Sequence, residues 1–558
     1  SNQATNTKLA WQEVDGALSP ELNGIKASLL FPLLVVLVVG GKVMVQLVGQ
    51  SIGAVISFLT SVSEIQDETV LIGSLLLFIP LAALLPHIRE PAYRRCYSSA
   101  IGAVMVILLF GDELWCFLAL VISGYVLTRW LANARCSCTG FAVVGLCFTF
   151  ANIVRLLAWK GFITLSLRSD VAFYMLTLRL GAFAFLTQDN TVGKQQWTMP
   201  SWRDFCDFIL FFPCMWSGPS LTYPLIMDTL TQPAPPSPPS LADMATFAVH
   251  RAFDSGLHFF GYFVLVPLFP LNGLLSPSFR TAPLWWRLAY VCVPVFGKRC
   301  QIVMAWYFAE VACFAAGLGL QKQGNKYAYL HMGLLSAFTS GDALGDDRSP
   351  VNVGSRNSSD EKLSERRGDF LAFDWRVEIS EDMRLLVRRW NTSVQTWLAY
   401  NVYKRLPIRS KLVKRLITLT VGAFWHGISP GFYMSFCLYP FADFCQELAG
   451  WHAVWPGESL PALKLLIKLV RVLGTQILLN SLLLPFVLLD FHSSLLAWYH
   501  CDLLPFWFMG ALLLFGMARS ALAGPTYGSH KQKQQADAAA GAATARGLNG
   551  REKDIKGS

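Results

Sequence analysis

Charge is what this sequence lacks. Only 15% of its 558 residues are Asp, Glu, Lys or Arg, where a soluble domain carries about a quarter. Hydrophobic residues make up 54%, and mean hydropathy is +0.43, which excludes an ordinary soluble globular fold. The 13 cysteines are scattered. Cys136 and Cys138 form a C-x-C pair, but no second pair sits at a zinc-ligand spacing, so no metal site is expected. A serine-nucleophile hydrolase triad is not expected. No cleavable signal peptide is expected either. The first 24 residues are polar, with Trp11, Glu13 and Asp15, and Lys26 directly precedes a full-length apolar run. That order reads as a cytosolic lead-in followed by a retained span.

What is present is a succession of apolar runs: Ala27 to Val48, Thr69 to Leu85, Ser99 to Leu127, Phe141 to Trp159, Val171 to Leu186, Leu257 to Leu274, Trp306 to Leu320, Leu463 to Leu489 and Phe506 to Ala518. Several approach the roughly 20 residues that cross a bilayer as a helix. The expectation is an all-α polytopic membrane protein with about ten to twelve spans, some of them re-entrant or broken. Residues 1–24 form a polar lead, 25–521 the multi-span body and 522–558 a disordered tail too poor in apolar surface to join it. Within the body, Pro233 to Pro239 form a linker that cannot be helical, and Gly341 to Arg367 form a polar loop outside the bilayer. The net charge of +10 does not indicate nucleic acid. Its basic residues cluster beside spans, at Arg89 to Arg95, Lys404 to Arg415 and Lys464 to Arg471, where they meet headgroups and bias topology. A lipid-facing surface and a subunit interface are alike in composition, so no oligomeric state follows.

Against this background a few polar residues stand out. His426 sits in Ala423-Phe424-Trp425-His426-Gly427-Ile428-Ser429-Pro430-Gly431-Phe432-Tyr433. An imidazole in hydrocarbon-like surroundings is costly without a partner or a task. Gly427, Pro430 and Gly431 would interrupt a helix just beyond it, and irregular backbone at membrane depth is tolerated where it lines protein or a cavity. Glu310, within Met304 to Cys313, should likewise face protein or a wet cavity, either pinning a neighbouring helix or meeting substrate. Upstream, Trp390, Val394 and Trp397 repeat at helical spacing and predict one face of an amphipathic helix. Asn391 opens a formal glycosylation sequon beside that tryptophan, where use is not expected; Asn357 is the better acceptor if its loop is lumenal. Asn391 and His426 can meet only if the chain folds back, and the proline break at Pro407 supports a return. A neutral histidine can take a proton from a hydroxyl, and an asparagine amide can donate to a developing oxyanion. The pair suits acyl transfer to an alcohol without a covalent enzyme intermediate. A satisfied packing histidine fits these residues equally well.

Arg389-Trp390-Asn391-Thr392-Ser393-Val394-Gln395-Thr396-Trp397-Leu398, Tyr403-Lys404-Arg405-Leu406 and Phe424 to Tyr433, in that order, resemble the membrane-bound O-acyltransferases, and most closely their lysophospholipid branch. Gly218-Pro219 and the span ending at Gly317-Leu318-Gly319 are similar to that branch as well. The resemblance covers roughly Leu22 to Arg519, strongly from Trp202 to Phe436. It implies a helical fold around a membrane tunnel in the endoplasmic reticulum, with acyl-coenzyme A entering from the cytosol and the lysolipid from the membrane or lumen. No cofactor is implied; acyl-coenzyme A is the co-substrate and membrane lipids are the surroundings. By this resemblance His426 deprotonates the free glycerol hydroxyl, commonly at sn-2, of a lysophospholipid such as lysophosphatidylcholine, and Asn391 orients or polarises the reacting groups. Arg388, Arg389, Lys404 and Arg405 become candidate phosphate or headgroup contacts, although topology signals explain them as well. Trp390, Trp425 and Tyr433 either line the acyl path or pack. Phe370 to Val377 and Pro233 to Pro239 depart from the branch and bear on the headgroup. A protein or peptide acceptor, a sterol or diacylglycerol acceptor, and a non-enzymatic transporter are the competing readings.

Overall fold

The computed structural model describes residues 67–192, 198–233, 239–318, 320–323, 326–329, 374–451 and 460–522. The polar lead, the expected span Ala27 to Val48, most of the proline-rich linker, the Gly341–Arg367 loop with Asn357, and the tail beyond Leu522 lie outside them.

The described chain is helical almost throughout. Helices α1 (Asp67–Leu84), α2 (Pro91–Phe110), α3 (Leu114–Asn133), α4 (Thr139–Trp159) and α5 (Leu167–Val192) follow one another with short connections. Shorter helices α6 (Trp202–Ile209) and α7 (Tyr223–Thr231) come next, then α8 (Leu241–Phe260) and the long α9 (Leu284–Ala315). The second half holds α10 (Met383–Arg389), α11 (Thr392–Asn401), α12 (Lys411–His426), α13 (Pro430–Ala449), α14 (Pro461–Leu488), α15 (Phe491–His500) and α16 (Leu504–Leu522). One antiparallel pair interrupts this pattern among the described residues: β1 (Leu320–Gln323) runs against β2 (Lys326–Tyr329), with Leu320 opposite Tyr329.

Among the described residues six stretches are long and apolar enough to cross a membrane: Thr69–His87, Pro91–Asn133, Thr139–Trp159, Leu167–Val192, Leu284–Ala315 and Leu504–Leu522. The second of them, 43 residues long, contains both α2 and α3, turned by Gly111–Glu113. The described residues therefore hold fewer such stretches than the ten to twelve spans expected. One expected run is not a single helix. Leu257 to Leu274 passes from the end of α8 into a π-turn at Gly261–Leu265, a short helical turn at Val266–Leu268 and a 3-10 turn at Leu271–Leu275. Pro267 and Pro270 explain the break, since neither supplies the amide that a continuing helix requires.

Packing organises these helices around two long partners. α5 lies along α4, and α9 lies along α1, α8 and α14; α13 packs on α12, α14 and α16. α9 has 32 residues, about 48 Å at the α-helical rise, and so exceeds a hydrocarbon core of about 30 Å. Glu310 on α9 is fully buried and accepts from Arg251 of α8, with Nε 2.8 Å from Oε2. The acid thus pins two helices together.

A second buried cation organises irregular backbone. Arg179, in the middle of α5, is 1% exposed and donates to the carbonyls of Ile209, Phe211 and Cys214 at 2.9, 3.0 and 2.9 Å. These carbonyls lie at the last residue of α6 and in the turn after it, where no helical amide can reach them. Buried carbonyls need donors, and here one guanidinium serves several. The same turn carries Gly218, whose φ of +98° excludes most side chains and whose missing Cβ leaves room for Ala309 of α9.

Candidate functional site

His426 is the last residue of α12. The amide of Gly427 makes the closing helical bond to Ala423 at 3.1 Å. Gly427 then takes φ +144°, which L side chains rarely adopt, and the chain turns at once into α13. Pro430 opens α13 at a position that needs no amide donor. Gly431 lets α13 touch α14: its amide donates to Leu489 at 3.1 Å, and a Cβ there would lie 2.0 Å from the carbonyl oxygen of Pro485. The glycines and proline around the histidine thus have separate geometric tasks.

The imidazole is half-buried within a ring of aromatics. Trp425, Phe486, Phe436, Phe432 and Tyr174 place their ring centres 4.5, 5.0, 5.3, 5.5 and 5.6 Å away. Neither ring nitrogen has a hydrogen-bond partner among the described residues. A packing histidine satisfied by its neighbours would have one. Such apolar surroundings hydrate an imidazolium poorly and favour the neutral form, which can accept a proton.

Asn391 lies between two helices rather than inside one. The predicted continuous stripe of Trp390, Val394 and Trp397 is broken: α10 ends at Arg389, Trp390 is extended and Asn391 is left-handed with φ +45°. Asparagine tolerates that conformation better than most residues because its short amide bonds locally. Its Oδ1 accepts from the Val394 amide at 3.4 Å, capping α11, and from Ser393 Oγ at 3.3 Å. Ser393 Oγ also accepts from the Ser220 amide at 3.0 Å, which ties the cap to the Gly218-Pro219 turn.

No hydrogen bond joins Asn391 to His426. Both helices are instead registered against α5. Trp425 Nε1 donates to the Tyr174 carbonyl at 3.0 Å, Trp397 Nε1 to Leu178 at 3.1 Å, and Arg405 pairs with Asp189. Trp397 and Arg405 thus follow each other in the direction of α5.

The other expected residues fall in several places. Trp425 is 9% exposed and is held by its indole bond to Tyr174. Trp390 is half-buried with its ring 5.0 Å from Trp306 and the Arg299 guanidinium 5.7 Å away. Tyr433 is half-buried one position beyond Phe432, and the contacts to His426 come from Phe432 and Phe436. Arg388 is exposed. Arg389 is half-buried and donates to the Arg376 carbonyl at 3.2 Å and Ser380 Oγ at 3.3 Å. Lys404 is exposed over the Tyr400 ring at 3.5 Å. Arg405 is committed to both oxygens of Asp189 at 2.7 and 2.6 Å, and Glu310 to Arg251.

Sequence reasoning missed the residues that α4 and α5 bring to the histidine: Asn152, Arg155 and Tyr174. A signal was present, since Asn152 and Arg155 stand three apart, hence on one helix face, within an otherwise apolar run. Two buried polar atoms beside the site, Arg155 Nη2 and Ser220 Oγ, have no protein partner among the described residues.

The model of the membrane-bound O-acyltransferase family matches residues 130–450, more than half of the chain, with both Asn391 and His426 inside the match. The chain belongs to that family. This acyltransferase is 27% identical over 391 residues to the membrane-bound acylglycerophosphatidylinositol O-acyltransferase MBOAT7 of Bos taurus, covering 67% of the chain and 78% of the relative. The Homo sapiens protein of that name is 26% identical with the same coverage. A lysophospholipid acyltransferase of Schizosaccharomyces pombe is 22% identical over 351 residues, 58% of the chain and 62% of the relative.

Proposed function

We propose that this acyltransferase moves a fatty acyl group from acyl-coenzyme A to the free hydroxyl, commonly at sn-2, of a lysophospholipid in the endoplasmic reticulum membrane, remodelling phospholipids there. The observation that carries the reading is His426: a half-buried imidazole ringed by aromatic carbon, with neither nitrogen hydrogen-bonded among the described residues. One nitrogen accepts the hydroxyl proton as the lipid oxygen attacks the thioester carbonyl. The carbon–sulfur bond then breaks, the imidazolium returns the proton to the departing sulfur, and the products are the diacyl lipid and free coenzyme A. The amide of Asn391 donates toward the oxygen on which charge develops. Phe432, Phe436 and Phe486 surround the imidazole with hydrocarbon, keeping competing water from the thioester.

Several relatives are named acylglycerophosphatidylinositol O-acyltransferases, so lysophosphatidylinositol heads the test panel ahead of lysophosphatidylcholine. Purified full-length protein is given acyl-coenzyme A with each lysolipid, and thiol release is followed. Release stimulated by a lysophospholipid and abolished by His426→Ala in a folded protein is the expected result. Full activity in His426→Ala would overturn the catalytic assignment. Stimulation by a sterol, diacylglycerol or peptide alone would overturn the substrate class.

A further inference from the structure

The last carbonyls of a helix have no amide of their own to receive. At the end of α12 they are supplied from outside. Asn152 Nδ2 of α4 donates to the Phe424 carbonyl at 2.7 Å, Arg155 Nη1 of α4 to Trp425 at 3.5 Å, and Tyr174 Oη of α5 to His426 itself at 3.0 Å. Three successive carbonyls therefore receive three side chains from two helices. The donors are cross-braced: Arg155 Nε bonds Asp170 at 2.5 Å, its Nη1 reaches Asn152 Oδ1 at 3.5 Å, and its guanidinium lies 5.0 Å from the Tyr174 ring centre. Trp425 closes the loop by donating to the Tyr174 carbonyl at 3.0 Å. A cation at a helix C-terminus is also favoured by the helix dipole.

We infer that Asn152, Arg155 and Tyr174 form a positioning collar that holds the imidazole of His426 in place for the transfer. The inference rests on the proposed role of His426 as the base. Reactive histidines are commonly oriented by a hydrogen bond to the second ring nitrogen. His426 makes no such bond among the described residues, so its aim depends on where its backbone sits and on the rings around it. Gly427 makes that demand sharper, because the residue following the base is the one best able to swing. Tyr174 acts twice, with its hydroxyl on the His426 carbonyl and its ring 5.6 Å from the imidazole. A displacement of about 1 Å at a reacting group costs around a hundredfold in rate. Collar residues thus control turnover without touching substrate.

The test compares Tyr174→Phe, Asn152→Ala and Arg155→Lys with the unmodified full-length enzyme. Readouts are kcat, KM for both substrates and the thermal midpoint. Tyr174→Phe keeps the ring and removes only the hydroxyl; it is expected to lower kcat about tenfold or more, with both KM values within about twofold. Arg155→Lys is expected not to rescue, since one ammonium cannot hold Asp170 and the Trp425 carbonyl together as a guanidinium fork does. Unchanged kcat in Tyr174→Phe and Asn152→Ala, with His426→Ala inactive, overturns the collar and leaves the base in place. Activity in His426→Ala overturns the base itself. If Asn152→Ala does not fold, Tyr174→Phe decides alone.

Discussion

Removing one member of the Arg251–Glu310 pair should be far worse than removing both. Arg251 is 2% and Glu310 0% exposed, and Nε and Nη2 both reach Oε2, at 2.8 and 2.5 Å. Deleting one partner breaks a buried ion pair, at a cost of about 3–5 kcal/mol. At 1.4 kcal/mol per factor of ten, that is roughly two to three and a half orders of magnitude in the folding equilibrium. Replacing both by methionines of similar length removes both charges together, and such exchanges are often neutral or favourable by about 1–4 kcal/mol. Glu310→Met and Arg251→Met are each expected to lower the thermal midpoint sharply in detergent, and the double variant to recover most of the loss. Acyl transfer measured on the same samples separates the two tasks weighed for Glu310. Recovery of both stability and KM in the double variant supports a helix-pinning acid. A stable double variant with KM raised about tenfold or more would refute that reasoning and return Glu310 to the substrate path.

Asn391→Asp retains the cap acceptor and the left-handed preference but removes the amide donor, so it should fold normally and lose turnover by about a hundredfold, as when an oxyanion donor is deleted; retained kcat would sink the donor role. Asn391→Gly supplies the backbone without the amide and should behave alike. Gly431→Ala would put a Cβ 2.0 Å from the Pro485 carbonyl, so the folded yield should collapse, whereas Gly510→Ala, with nothing within 4 Å, should be silent by size-exclusion profile. Arg405→Ala breaks a pair whose Asp189 side chain is 53% exposed; it should cost no more than about 1 kcal/mol and leave both KM values unchanged, and a raised KM would give Arg405 a substrate contact.

The helical, multi-span architecture was legible because burial on all sides writes long apolar runs into a sequence. The acyltransferase family was legible only as a resemblance, carried by the motifs around Trp390-Asn391 and Trp425-His426. Other features needed the third dimension. The Trp390–Trp397 stripe has helical periodicity, yet the chain breaks at Asn391, because a residue that can be left-handed and cap at once ends one helix and starts another. Leu257 to Leu274 reads as one span by hydropathy, but its prolines decide the local backbone. The collar was hidden most deeply: Asn152 and Tyr174 act on carbonyls more than 250 residues further on, and a backbone acceptor leaves no trace in residue type. Arg405, which counts as a basic topology signal in sequence, has its guanidinium occupied by Asp189.

Arg179 has a consequence for how the protein is made. Its Nη1 and Nη2 donate to carbonyls that are synthesised later, from Phe208 to Cys214. When α5 first enters the bilayer those acceptors have not arrived, and an arginine at mid-helix then opposes insertion by about 2.5–3.5 kcal/mol. The helix is therefore expected to settle fully only after the following segment has been delivered. A nascent chain stopped before Trp202 should leave α5 poorly integrated, while one extended past Pro219 should integrate it. Biogenesis of this enzyme thus has an order, and one buried cation imposes it.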